Sequence, residues 1–133
     1  MHTKDVNGEL VSIGDVARTL GLTTRTLRYW EEVGIIDSSQ RPGGGSRAFT
    51  PYMVRRIRFI LKLKELGLTI KELQDLSVAY GDAKRTDNMI PRLLEILDIH
   101  VSKVDDKISQ LAMLRKEIVD YRQKMIEKFK LSR

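Results

Sequence analysis

Apolar residues recur at helical spacing in four short blocks between Ser12 and Leu76, and each block is framed by capping residues. Ile13, Val16, Ala17 and Leu20 fall at i, i+3, i+4 and i+7, which makes one buried helix face. Ser12 precedes this block and Asp15 sits three residues on, a capping-box-like start, while Gly21 tolerates the left-handed conformation that ends a helix. After a turn of a few residues, Thr23 or Thr24 caps a second helix with Leu27 and Trp30 inward and Gly34 as its stop. Two short helices joined this tightly predict a helix-turn-helix. Ile35 and Ile36 begin a short extended segment. Gly43, Gly44 and Gly45 suit a hairpin tip, and Arg47, Ala48 and Phe49 return from it. Thr50-Pro51 opens a third helix, with Met53, Val54, Ile57, Ile60 and Leu61 inward and Arg55, Arg56, Arg58 and Lys62 on other faces. Gly67 closes it. Thr69 to Glu72 is a second capping box and opens a fourth helix carrying Ile70, Leu73 and Leu76. The helix-turn-helix pattern therefore occurs twice.

Residues Met1 to Leu10 are polar and expected to fray. Gly81 to Asn88 form a polar break, and beyond it a single helical pattern runs from about Met89 to Phe129. At ~1.5 Å per residue such a helix spans roughly 60 Å. Leu97, Val101, Val104, Ile108 and Leu111 keep the alternating four- and three-residue steps of a heptad seam. Leu114, Ile118, Tyr121, Met125 and Phe129 continue it after a three-residue step, a local phase shift. So small a domain cannot cover a stripe this long. The stripe calls for a partner helix, most simply its copy in a second subunit. Folding back on its own domain is the weaker alternative.

The 133 residues leave room for one compact domain plus one long extra element. With 41% hydrophobic and 32% charged residues, the composition fits a helix-rich folded chain. The formal net charge is +6, and its distribution matters more than its sum. Seven basic residues and no acidic one lie between Ser38 and Lys64. Beside a helix-turn-helix and a basic glycine-rich wing holding Arg41 and Arg47, this run reads as a phosphate footprint rather than a solvated face.

Other chemistries find little support. There are no cysteines, so no disulfide or thiolate metal site, and His2 and His100 are too far apart in sequence for a convincing ligand set. No cofactor motif is present: the glycines lack the phosphate-loop pattern. Glu31 and Glu32 at i, i+1 do not face each other as an acid–base pair would, and an enzyme is not expected. No apolar run approaches the ~18 residues of a membrane span, and there is no signal-peptide core, so the expected location is cytoplasmic.

These residues resemble the MerR family of bacterial transcription regulators. The match runs through Ser12-Ile13-Gly14-Asp15-Val16-Ala17, Thr26-Leu27-Arg28-Tyr29-Trp30-Glu31 and Gly34-Ile35-Ile36. It continues through the wing Gly44-Gly45-Ser46-Arg47-Ala48-Phe49, through Arg56-Ile57-Arg58-Phe59-Ile60, and through Lys64 to Leu73. Motifs in this order over about residues 11 to 76 are far more specific than one short pattern. The resemblance implies a mainly α fold: a winged helix-turn-helix DNA-binding domain over 11–80, a linker at 81–88 and an antiparallel coiled-coil dimerisation helix over 89–130. Arg25, Arg28 and Tyr29 would lie on the helix that enters the major groove, with the arginines reaching guanine edges or phosphates. Arg47 would sit at the backbone or minor groove and Arg58 on a flanking phosphate, with Arg18 a further candidate. Trp30 stands where a second tyrosine is common and is expected to be partly core. Ala48 replaces a bulkier neighbour of Phe49. Leu97, Val101, Val104, Ile108, Leu111, Leu114, Ile118 and Tyr121 would form the dimer seam.

The implied function is a sequence-specific transcription regulator that binds a pseudo-palindromic promoter site as a homodimer and distorts the promoter spacer. Its partners would be double-stranded promoter DNA, a second copy and RNA polymerase. The cysteine sensor of metal- and redox-responsive members is absent. A small-molecule effector, if one acts, is expected where the first domain, the Gly81–Asn88 break and the partner's helix meet, with Met113, Tyr121 and Met125 as contributors. The alternatives are a DNA architectural or recombination accessory protein and an interaction module working through its coiled coil. The second leaves the wing and its basic run unexplained.

Overall fold

The computed structural model describes residues 9–40, 47–81 and 86–130. The chain divides into two compact units, Met1–Leu93 and Leu94–Arg133. In the first, Ser12 ends the short strand β1 (Val11–Ser12), and its hydroxyl accepts the Asp15 amide at 3.1 Å to start α1 (Ile13–Leu20). Thr23 caps α2 (Thr24–Glu32), accepting the Thr26 amide at 3.0 Å. Thr50 caps α3 (Pro51–Glu65) in the same way, with Pro51 at the first helical position, where its missing N–H costs nothing. Thr69 and Glu72 complete a reciprocal capping box at α4 (Ile70–Tyr80), with bonds of 3.1 and 2.9 Å. Thr69→Ala removes one half of that box. It is expected to lower unfolding free energy by about 1 kcal/mol, read as a shifted denaturant midpoint at constant slope.

Two helix ends follow one device. Gly34 takes φ +86° and donates to the Glu31 carbonyl, and the Ile35 amide reaches back to Trp30 at 3.0 Å. Gly67 takes φ +103° and donates to Lys64, and the Leu68 amide reaches back to Leu63 at 3.1 Å. In both, a left-handed glycine satisfies orphan carbonyls and folds an apolar residue back onto the last turn. Trp30 and Ile35 are buried together with Leu63 and Leu68. This corrects two expectations. Ile35 completes the α2 cap rather than opening the extended segment, which pairs as a strand only at Ser39–Gln40. Leu63 and Leu68 belong to the core, whereas Val54, Leu61 and Ile70 are only half-buried.

The wing has one more strand than the hairpin foreseen. β3 (Arg47–Phe49) lies between β1 and β2 (Ser39–Gln40), antiparallel to both. Val11 faces Phe49, while Ala48 faces Ser12 on one side and Ser39 on the other. Ala48 and Phe49 are fully buried in this central strand. The wing is thereby stitched to the residue that caps α1. The glycine tip and Arg41 fall outside the described residues.

The helix α5 (Thr86–Phe129) opens three residues before Met89, inside the stretch expected as linker. Met89 and Leu93 in its first turns are buried, and Arg92 pairs with Asp75 of α4 at 2.7 Å. In the second unit the picture reverses. Val101, Val104, Ile108, Leu111, Leu114, Ile118 and Tyr121 are all 49–64% exposed. An exposed apolar stripe of this extent marks an interaction surface.

Candidate nucleic-acid interface

α2 has two faces. Leu27 and Trp30 are buried in the core, and Trp30 is wholly rather than partly so. Arg25, Arg28 and Tyr29 fall at i, i+3 and i+4 on the opposite side, all exposed. Among the described residues no hydrogen bond or ion pair ties Arg25 or Arg28 down. Helix-surface arginines of this kind are free to meet base edges or phosphates.

Glu31, one turn after Leu27, holds the wing against α2. Its Oε2 accepts the Ser38 hydroxyl at 2.6 Å, and its Oε1 stands 2.8 Å from Arg47 Nε on β3. Buried Oε1 has charge contact with Arg47 without hydrogen-bond alignment. Arg47 nevertheless keeps 52% of its side chain exposed. The wing arginine is thus held beside the exposed α2 face by a carboxylate. Nothing in the sequence pattern of Glu31 suggested this; it follows only once β3 brings Arg47 back from sixteen residues away.

The other basic residues separate by environment. Arg58 on α3 is exposed. Arg56 is turned inward: its Nη2 donates to Ser77 Oγ at 3.0 Å and its guanidinium lies 5.6 Å from the Tyr80 ring centroid. Arg18 pairs with Asp15 on its own helix. Gln74 of α4 donates to the Val33 carbonyl at 2.9 Å, fastening the second helical pair to the end of α2. Between α3, α4 and the first turn of α5 lies an apolar cleft of about 350 Å³, lined in part by Tyr52, Phe59, Leu76, Met89 and Ile90. The Tyr52 and Tyr80 hydroxyls are 2.7 Å apart at its wall. No described helix is long and apolar enough to cross a membrane.

Comparison with known proteins identifies the family of this fold. The pattern of the family described as "MerR HTH family regulatory protein" matches residues 11–78, and that described as "MerR, DNA binding" matches residues 54–121. An HTH-type transcriptional regulator ZntR homolog of Haemophilus influenzae is 30% identical over 116 residues, covering 87% of this chain and 84% of its own. Among solved structures, HiNmlR, a MerR family regulator lacking the sensor domain and bound to promoter DNA, superposes with a TM-score of 0.60 at 17% identity. That match covers 92% of this chain and 97% of the other, and at this identity it speaks to fold alone. EcmrR, seen by cryo-EM in the EcmrR-DNA complex of EcmrR-RPo, is 25% identical with a TM-score of 0.56. There the match covers 90% of this chain and 41% of the other. The chain belongs to the MerR family of helix-turn-helix transcription regulators.

Proposed function

We propose that this regulator binds a pseudo-palindromic promoter site as a homodimer in the cytoplasm. In this reading, residues 11–80 contact DNA, 81–88 link, and 89–130 dimerise. α2 enters the major groove, Arg25 and Arg28 contact bases or phosphates, and Tyr29 donates to a phosphate. Arg47 reaches the backbone or minor groove, Arg58 a flanking phosphate, and Arg18 joins them once its pair with Asp15 opens. The single observation that carries the reading is the exposed Arg25–Arg28 face of α2, unpaired among the described residues, with Arg47 fixed beside it by Glu31. Two reading heads on one DNA face suit an effect through promoter shape, with the spacer twisted for RNA polymerase. HiNmlR on promoter DNA and EcmrR in its polymerase complex support this choice of partners.

Base-resolution footprinting of the purified protein across genomic DNA tests the proposal. Protected inverted repeats inside long promoter spacers are expected. Protection confined to recombination sites would instead indicate an architectural role.

The Glu31–Arg47 pair makes its own prediction. Glu31→Gln keeps the shape and the Ser38 hydrogen bond and removes a carboxylate close to the DNA-facing arginine. Binding to duplex DNA at low salt is expected to tighten roughly two- to fivefold, the range of an exposed ion pair. Weaker binding by this variant, measured by fluorescence anisotropy, would mean that the pair positions Arg47 rather than masking it.

A further inference from the structure

The apolar stripe of α5, exposed from Val101 to Tyr121 and half-buried at Leu97 and Met125, contains a symmetry. Leu97, Val104, Leu111, Ile118 and Met125 recur every seven residues, the repeat that follows one line along a supercoiled helix. Before Leu111 the flanking apolar residues, Val101 and Ile108, come four places after a member of this line. After Leu111 the flanking residues, Leu114 and Tyr121, come three places after one. The spacing of these nine residues therefore reads the same in both directions from Leu111, and no other centre pairs them all.

An antiparallel pairing of α5 with its own copy is what the family resemblance implies; we infer that the two-fold axis of that pair passes at Leu111, and that the phase step there sets the register. This rests on the homodimer reading given above. A two-fold axis perpendicular to the helices at this level places Leu97 against Met125 of the partner subunit, Val101 against the partner's Tyr121, and Val104 against the partner's Ile118. Ile108 meets the partner's Leu114, and Leu111 meets the partner's Leu111. The matching is selective. The same axis sets the exposed Ile99, Met113 and Val119 opposite Gln123, Ser109 and Lys103, so these three lie outside the seam.

An uninterrupted heptad seam is symmetric about many points, so an antiparallel pair could slip by seven residues with little loss. The step removes that freedom. A one-heptad slip sets Ile108 opposite Lys107, or Leu114 opposite Arg115, within the seam. Burying an unpaired ammonium or guanidinium against leucine and isoleucine is costly. Charge fits the same arrangement: on one flank, Asp105 and Asp98 come within two residues of the level of Arg115 and Arg122 of the partner subunit.

The chain has no cysteine, so introduced thiols are the only ones that can cross-link. Full-length Leu111→Cys is expected to form a disulfide-linked dimer under mild oxidation. Val104→Cys alone is not, because its two copies would lie about 21 Å apart along the axis, beyond the reach of a disulfide. A mixture of Val104→Cys and Ile118→Cys chains, exchanged before oxidation, is expected to link efficiently. Sedimentation of the unmodified protein separates the ways this can fail. A monomer would overturn the dimer reading itself. A dimer in which Val104→Cys links to itself would be parallel. A dimer in which Val104→Cys links to Met125→Cys or Leu111→Cys instead would have slipped by a heptad. Either of the last two overturns the register and leaves the dimer standing.

Discussion

Leu111→Glu is expected to turn the protein into a monomer and to lower affinity for an intact operator by about 10²- to 10⁴-fold. Leu111 is 64% exposed on α5 and makes no part of the first unit's core, so the change leaves the winged domain intact. In the dimer proposed above it faces itself, so one substitution places two carboxylates together in an apolar seam. That burial is unaffordable without partners, and the two helices separate. Each freed head then binds a half-site alone and loses the effective concentration that tethering supplied, which is the origin of the magnitude. Sedimentation velocity gives the mass, anisotropy against full and half operators gives the affinity, and Trp30 fluorescence reports the domain. A variant that stays dimeric with unchanged operator affinity would remove the seam from the dimer interface.

Arg28→Ala carries the second large effect. Its side chain is exposed, unpaired among the described residues, and on the face of α2 opposite Leu27 and Trp30. Loss of one good base contact costs about 1–3 kcal/mol, a factor of roughly 5 to 150 in operator affinity at fixed salt. Thermal unfolding should hardly move, because no structural contact is lost. Arg18→Ala is the internal comparison: its side chain is already paired on its own helix and its expected effect is smaller. The interpretation of α2 as the reading helix fails if Arg28→Ala binds operator and random duplex with the wild-type ratio and strength.

The parts of this fold that are legible in the sequence are those built from neighbours. Ser12, Thr23, Thr50 and Thr69 cap helices where their spacing places them, because a cap needs only the amide two or three residues on. The double helix-turn-helix, the wing strand and the long helix are visible for the same reason. The glycine stops were legible as stops, yet the apolar residue folded back after each one was not. Leu68 stands outside the apolar periodicity of both flanking helices and is fully buried, since its place depends on the left-handed turn at Gly67. β1 is two residues long, too short to show an alternating pattern, and exists because β3 offers it an edge. The contact of Glu31 with Arg47 and the inward turn of Arg56 depend on tertiary neighbours far along the chain. Charge counting treated all seven basic residues of that region alike, whereas packing assigns Arg56 to structure and leaves Arg58 to solvent.

One unbroken helix joins the buried turn at Leu93 to the midpoint at Leu111. Eighteen residues of rise make that arm about 27 Å, so an antiparallel pair centred there sets its two Leu93 positions about 54 Å apart along the coil. Adding or removing a single residue in each arm would change that length by only about 3 Å in all, yet would turn the seam residues on its N-terminal side by about 100° about the helix axis, away from their partners. Length variation between Leu93 and Leu111 is therefore tolerable only in steps that restore the angle, of which a whole heptad is the shortest that also keeps the seam in line.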